Sequence, residues 1–143
     1  MVIRLVPALT LVLLGPLASA RAAELVVKVT GVASDAGEIG CALYAGPEGF
    51  PLDRARAVAG QWQPAKQGVV ECRFPGLKRG VYAVAVSHDL NGNRRTDTNF
   101  LGMPTEDWGV SNNVRPSLRP PTFDEAQVGV GERDVEIQIK VAR

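Results

Sequence analysis

A short run of oxygen-bearing side chains is the part of this sequence best suited to chemistry. In residues 88–100, HDLNGNRRTDTNF, the side chains of Asp89, Asn91, Asn93 and Asp97 stand at the first, third, fifth and ninth positions of a calcium-loop spacing. Ca²⁺ takes about six to eight oxygen ligands, and short Asp and Asn side chains at alternate positions supply them, with a backbone carbonyl, here that of Arg95, completing the turn. The spacing therefore predicts Ca²⁺ binding by these five residues.

Two residues depart from the helix-loop-helix calcium hand. The position that needs Gly for a left-handed turn is Arg94, at a cost of about 1–2 kcal/mol in that conformation. Phe100 stands where a bidentate Glu would be. The loop is therefore either a looser cation site, completed by water, Glu106 or Asp107, or a polar turn whose Asp and Asn side chains cap their own backbone. Two carboxylates facing two arginines predict a modest affinity for the cation.

Other polar residues near this loop are candidates for organising it or for binding a ligand: His88, Asn99, Glu106, Ser111, Asn112 and Asn113. His88 is the one histidine of the chain, and it is interpreted as a hydrogen-bonded residue at the rim of the core, or else as a ligand or base. Ser111 lacks the Gly-x-Ser-x-Gly flanks of a nucleophile elbow. Asn112 and Asn113 either clamp the loop, which we favour, or contact a ligand.

The segments that must position these residues are predicted to be strands. Runs rich in Val, Ile and Tyr, broken by Gly and Pro, occupy residues 24–32, 38–45, 67–74, 81–89 and 134–142. Apolar and polar residues alternate along the last run, which is the signature of a half-buried strand. These runs predict an all-β fold, an antiparallel β-sandwich of immunoglobulin-like or transthyretin-like type. Tyr82, Val84 and Val86 on one face of residues 81–89, with smaller residues on the other, indicate a central strand.

Two long connections interrupt the strand pattern. Residues 100–123 contain four prolines, which cannot donate to a strand ladder, so we expect an irregular loop. Loops of this length in compact domains are usually functional or disordered, and Trp108 and its apolar neighbours favour a packed loop. Residues 45–68 form the second connection, which Trp62 is expected to fix.

Cys41 and Cys72 are expected to form a disulfide. Both alternate with apolar neighbours in predicted strands, so both should face the core. In an oxidising compartment a lone pair of thiols commonly becomes a disulfide, and closing a loop of this length stabilises by roughly 3–4 kcal/mol in the chain-entropy model. The alternative is a pair of buried free thiols. A redox or metal role is weakly supported, because there is no Cys-x-x-Cys.

The first 20 residues are interpreted as a signal peptide. Arg4 precedes an apolar run of about 13 residues and then the small residues Ala18, Ser19 and Ala20. The run is short of the roughly 20 residues that a membrane-spanning helix needs, so membrane insertion is not expected. We therefore predict an exported protein, periplasmic or extracellular, with one β-sandwich domain over residues 21–143. Without Arg4, 15 basic residues face 15 acidic ones, which argues against nucleic-acid binding.

The segment YAVAVSHDLNGNRRTDTNFLGMPTEDWGVSNN, followed by RPPTFDEAQVGV, resembles an uncharacterised bacterial exported family, the domain of unknown function 2141. The resemblance covers essentially the whole chain after the leader, and the His-Asp-x-Asn-Gly-Asn run with Phe-Leu-Gly-x-Pro is its most specific part. It implies an exported β-sandwich with no established activity. The family usually reads Asn-Gly-Lys at residues 93–95, so Arg94 departs from its pattern.

Two functions remain open on the sequence. The first is a non-enzymatic module whose loops, residues 88–99 and 100–123, present a binding surface with Ca²⁺ as the candidate cofactor. Its partner would be a glycan, a cell-envelope component or a protein. The second is a metal- or His-assisted enzyme at the same loops, with His88 as base near Asp89, Glu106 or Asp107 and Arg115 polarising the substrate.

Overall fold

The computed structural model describes residues 21–143, so the expected signal peptide lies outside the described residues. Over these residues the fold is nearly all β, with eight strands: β1 Ala23–Val32, β2 Glu38–Tyr44, β3 Ala59–Pro64, β4 Gly68–Leu77, β5 Gly80–Asp89, β6 Trp108–Val110, β7 Val128–Val130 and β8 Val135–Lys140. One short helix, α1, covers Phe123–Ala126, and 3-10 turns cover Arg54–Arg56 and Ser111–Asn113. The five predicted strands are confirmed as β1, β2, β4, β5 and β8. Within residues 21–143, no helix is long and apolar enough to cross a membrane.

The strands form two sheets. One has the order β4-β1-β8, the other has the order β3-β2-β5-β6, and β7 pairs with the start of β5. Every pair is antiparallel except β1 with β8, which is parallel. The expectation of a purely antiparallel architecture is therefore wrong for this pair. A parallel pair needs a crossover of a dozen or more residues, and here most of the chain lies between β1 and β8.

The main core lies between the two sheets. It takes alternate residues of β1, such as Leu25 and Val27, with inward residues of β4 and β8, and it meets Leu43 and Val84 from the other sheet. Period-2 alternation places all of these side chains on the inner faces. Burial of such side chains supplies about 1.5–3 kcal/mol each before entropic costs.

The disulfide prediction is confirmed. Cys41 on β2 and Cys72 on β4 are joined, with an S–S distance of 2.11 Å, and both are fully buried. Because the two strands belong to different sheets, the bond ties the sheets together across the core.

From residue 83 onward β5 is buried on both faces, as predicted for a central strand. The middle of its outer face carries the small side chains of Ala83, Ala85 and Ser87. The Ala83 end is covered by an aromatic group: Tyr44 packs edge-to-face on Phe50 at 5.3 Å, and Phe50 packs in the same way on Phe123 at 6.1 Å. That cover does not include Ser87, so a depression remains at that end of the sheet.

The two long connections each contain a strand that the sequence did not predict. β3 lies within residues 45–68 and reads AGQWQP, and β6 lies within residues 100–123 and has three residues. β3 is an edge strand whose residues are half-buried or exposed, so it lacks clear apolar alternation. β6 is too short to show a period.

Candidate functional site

An apolar cleft lies on the outer face of the five-stranded sheet. Its floor is formed by β6 and by the end of β5 that carries Ala85 and Ser87, and its walls are loop residues 51–54, 96–104 and 116–121. The cleft encloses about 140 Å³, less than the roughly 300–1,000 Å³ of most small-ligand sites, so it suits a small or slender ligand.

The walls of the cleft carry large apolar side chains that face water. Leu101 is 72% exposed and Leu118 is 94% exposed, and Leu52 and Met103 are exposed as well. Phe100, beside them in sequence, is 94% exposed. Contiguous exposed apolar surface on a globular protein marks an interaction site more often than isolated apolar residues do.

The wall formed by residues 96–104 belongs to the loop that the sequence singled out. Asp89, the last residue of β5, is fully buried. Its Oδ1 accepts a hydrogen bond from the Gly92 backbone N–H at 2.8 Å, and its Oδ2 accepts one from the Arg94 N–H at 2.6 Å. Each carboxylate oxygen has a second lone pair. Asp89 therefore fixes the turn while keeping acceptor capacity.

Three of the predicted cation ligands lie together. The Nδ2 of Asn91 donates to Asp97 Oδ2 at 2.6 Å, and the Nδ2 of Asn93 donates to Asp97 Oδ1 at 2.7 Å. The amide oxygens also cap the loop, since Asn91 Oδ1 accepts from the Asn93 N–H and Asn93 Oδ1 accepts from the Arg95 N–H. Both amides direct their nitrogens to Asp97 and their oxygens to backbone N–H groups, which is the geometry of the polar turn. Cation binding would require the amide oxygens to turn toward Asp97.

Arg94 adopts the left-handed conformation that the calcium spacing requires at its position. Its φ is 56°. Its side chain points away from the loop interior, because the guanidinium binds both carboxylate oxygens of Glu38 at 3.0 and 3.1 Å and lies 5.3 Å from the centre of the Trp62 ring. The same hydrogen bonds lower the pKa of Glu38. The guanidinium charge is thus neutralised outside the loop.

Glu106 follows the loop in sequence and binds its first residues. Its Oε1 accepts a hydrogen bond from the Leu90 N–H at 3.0 Å, while its Oε2 is buried and has no hydrogen-bond partner among residues 21–143. Over the same residues, no group of three or more His, Cys, Asp or Glu side chains is placed to hold a metal ion. A cation here would accordingly depend on amide and carbonyl oxygens in addition to carboxylates.

His88 is 2% exposed, and its Nε2 donates to the Ala36 carbonyl at 2.7 Å. Its backbone N–H donates to the Asp107 carbonyl at 2.9 Å, which closes the neck of the loop. It does not line the cleft. A general base must come within hydrogen-bond reach of the proton it takes, so this placement favours a structural role over a catalytic one.

The sequence Ser111-Asn112-Asn113 joins three parts of the fold. The Ser111 hydroxyl accepts from the Val84 N–H and donates to the Ala126 carbonyl. Asn112 donates to the carbonyls of Glu125 and Gln127. Asn113 accepts from the Lys140 N–H at 2.8 Å and donates to the Gln138 carbonyl. Both asparagines have positive φ, 62° and 53°, which their type tolerates.

Two further polar residues of the long connection are bound to backbone. Asn99 Oδ1 accepts from the N–H groups of Leu101 and Met103, which shapes the wall of the cleft. Arg115, which the enzyme hypothesis placed on a substrate, stacks 4.1 Å from the centre of the Trp108 ring and donates to the carbonyls of Trp108 and Ala142.

Comparison with known families shows to which family the chain belongs. A family model described as "Uncharacterized protein conserved in bacteria (DUF2141)" matches residues 27–138. The chain belongs to this family. The match confirms the resemblance carried by the loop and by the segment that follows it. No curated protein and no solved structure matches the chain.

In this DUF2141 protein, sequence reasoning located one wall of the cleft and missed the cleft itself. Arg54 and Ser87, which line it, come from segments that are 33 residues apart and are joined by a hydrogen bond of 2.8 Å. The useful indications were the small side chains on one face of β5 and the apolar residues in a proline-rich connection.

Proposed function

We propose that this DUF2141 protein is an exported, non-enzymatic binding module whose ligand lies in the apolar cleft. The observation that carries the proposal is the row of water-facing apolar side chains along the cleft walls, including Leu101, Met103 and Leu118. Covering apolar surface is favourable by about 25 cal/mol per Å². A ligand that fills the cleft gains this energy without any rearrangement of the core.

The composition of the cleft favours one class among the partners that the sequence left open. The lining is dominated by Leu, Met, Pro, Ala and Trp side chains. A glycan would need several hydrogen-bonding groups that converge on its hydroxyls, whereas an apolar chain needs only surface of matching shape. We therefore infer an apolar component of the cell envelope as the ligand.

Export is part of the proposal. It is supported by the N-terminal pattern of the sequence and by the buried disulfide, since disulfides persist in oxidising compartments. The two sheets and the bond between them are also compatible with an immunoglobulin-like or transthyretin-like sandwich.

A Ca²⁺ ion in the loop formed by residues 89–97 is the candidate cofactor of the module. Two observations support it: the Arg94 charge is turned outward, and Glu106 Oε2 is buried without a partner among residues 21–143. An ion bound only by the folded chain raises its melting temperature. We expect millimolar CaCl₂ to raise the midpoint of wild type and to leave Asp97→Ala unchanged. Equal melting curves with and without CaCl₂ for wild type would remove the ion from the proposal.

The function itself is tested with the uncharged fluorescent probe N-phenylnaphthylamine. Wild type should bind the probe with enhanced emission, and Leu101→Ser should weaken binding by about three- to tenfold, since one large apolar contact is worth roughly 1 kcal/mol or more. Val69→Ser is the matched control, because Val69 is also exposed but lies on β4 of the other sheet. Equal weakening by both variants, or absence of binding to wild type, would contradict the proposal.

A further inference from the structure

Arg54 places a cation at the edge of the apolar cleft. It stands in the 3-10 turn Arg54–Arg56, whose N-cap is Asp53, and it lines the cleft. Its Nη2 donates to the Gly40 carbonyl at 2.9 Å and to the Ser87 hydroxyl at 2.8 Å. The guanidinium carbon lies 4.5 Å from the centre of the Trp62 ring. The side chain is thus held in one position by two hydrogen bonds and a cation–π contact.

The position of Arg54 depends on a glycine. A Cβ atom at Gly40 would lie 2.8 Å from Nη2 of Arg54 and would also clash with the Trp62 ring. Gly40 therefore leaves the space in which the indole and the guanidinium stack. The sheet is built to accept an arginine here, and the arginine is not a surface side chain that happens to touch the cleft.

Within residues 21–143, Arg54 forms no ion pair with a carboxylate. The carboxylates of these residues that lie within 4.0 Å of an arginine or lysine nitrogen pair with other cations. Its Nε and Nη1 have no hydrogen-bond acceptor within the same part of the chain. Burial lowers the pKa of Arg54, and the charge of Asp89 offsets part of that shift.

The other cation that lines the cleft, Arg119, already has a counter-ion. Arg119 binds both carboxylate oxygens of Glu125, at 2.9 and 2.7 Å. The cleft thus combines a long apolar surface with one planar cation that retains free donors. With both Nη2 hydrogens in use, a ligand carboxylate would accept one charge-assisted hydrogen bond, from Nε–H or from Nη1–H. One positive charge also balances a monoanion better than a phosphate monoester, which carries about −1.5 to −2 at neutral pH.

We propose that the ligand of the cleft is a fatty-acid-like molecule, with its apolar chain against Leu101, Met103 and Leu118 and its carboxylate on Arg54. This inference rests on the proposed binding function and specifies its ligand. The ligand stays chemically unchanged, so Arg54 is a binding residue that fixes the orientation of the chain. Specificity for the acid over the matching alcohol follows from the charge-assisted hydrogen bond alone.

The test compares amphiphiles that share one apolar chain and differ in the head group. Binding of decanoate, decanol, decyltrimethylammonium and decyl phosphate to the chain is measured below their micelle concentrations by displacement of N-phenylnaphthylamine and by calorimetry. Decanoate should bind about tenfold or more tighter than decanol, because a hydrogen bond to a charged group is stronger than one between neutral groups. The ammonium compound should bind more weakly than the alcohol.

Substitutions test whether the preference for decanoate over decanol depends on Arg54. Arg54→Met should bring the affinities for decanoate and decanol together while decanol still binds. Arg56→Met is the matched control: Arg56 stands in the same turn with its side chain 68% exposed and is outside the cleft lining, so the preference for decanoate should persist. Circular dichroism melting of both variants shows whether they fold. If Arg54→Met does not fold, the head-group series on wild type still tests the proposal.

The outcomes separate this inference from the function on which it rests. If wild type binds decanol as tightly as decanoate, the role of Arg54 is wrong while the apolar cleft remains a ligand site. If decyl phosphate binds tighter than decanoate, the carboxylate assignment is wrong. If wild type binds neither the probe nor any amphiphile, the proposed function fails and this inference fails with it.

Discussion

Replacing Ser111 by alanine is expected to destabilise the fold strongly for so small a change. The Ser111 side chain is fully buried, and its hydroxyl accepts a hydrogen bond from the Val84 N–H at 3.0 Å and donates one to the Ala126 carbonyl. Alanine would leave both backbone groups buried without a partner. Each such group costs about 1–3 kcal/mol, so Ser111→Ala should lower the free energy of unfolding by about 2–6 kcal/mol.

Urea unfolding followed by tryptophan fluorescence measures this loss. With an m-value of about 2 kcal/mol per molar urea, the midpoint should fall by roughly 1–3 M while the m-value stays constant. Ser117→Ala is the matched control, because Ser117 is exposed in the same connection, and surface substitutions usually change stability by no more than about 0.5 kcal/mol.

A loss below about 0.5 kcal/mol in Ser111→Ala would refute this reasoning, since it is the range expected of an exposed site. It would mean that the hydroxyl is not the partner of the two backbone groups or that water replaces it at no cost. The role of Ser111 in joining β5 to α1 would then have to be abandoned.

Two further predictions concern the disulfide and acid stability. Reduction of the Cys41–Cys72 disulfide should lower the free energy of unfolding by roughly 3–4 kcal/mol, measured by urea unfolding with and without reductant; unchanged stability would contradict the tie between the sheets. The Arg119 side chain, with the Thr122 backbone, lowers the pKa of Glu125 from 4.5 to about 2. A lowered pKa contributes stability above the unfolded value that is lost as pH falls through the folded value, so Glu125→Gln should weaken the pH dependence of stability between about pH 4.5 and 2; an unchanged slope would contradict the assignment.

Much of the fold could be predicted from sequence because its strands follow strong local rules. β1 and β8 alternate apolar and polar residues, and β5 combines a large-residue face with a small-residue face. The direction of β8 beside β1 could not be predicted, because period-2 alternation is the same in either direction. β3 could not be predicted from the sequence for a different reason: its Trp62 packs against arginines at the edge of a sheet instead of in the core.

The candidate site was less predictable because it is assembled from segments that are distant in sequence. The spacing of Asp and Asn residues identified the loop and placed a left-handed residue at Arg94, where φ is 56°. The spacing could not show that Glu38, on β2, would neutralise that arginine. It also could not show that Arg54 would stand without a carboxylate at the rim of an apolar cleft, because the pairing of charges depends on the packed structure.

The loop and the cleft are parts of one structural unit, which links the two proposed ligands. The neck of residues 89–107 is closed by Glu106 on the Leu90 N–H and by the Asp107 carbonyl on the His88 N–H. Asp97 then connects the residues of the proposed cation site to the wall of the cleft, since its carbonyl accepts from the Thr105 N–H at 2.8 Å. A cation that orders this loop would order the wall that carries the apolar side chains. Such a cation would then raise the affinity of the cleft for an apolar ligand. Because coupling between two binding sites is reciprocal, the ligand would raise the affinity of the loop for the cation by the same factor.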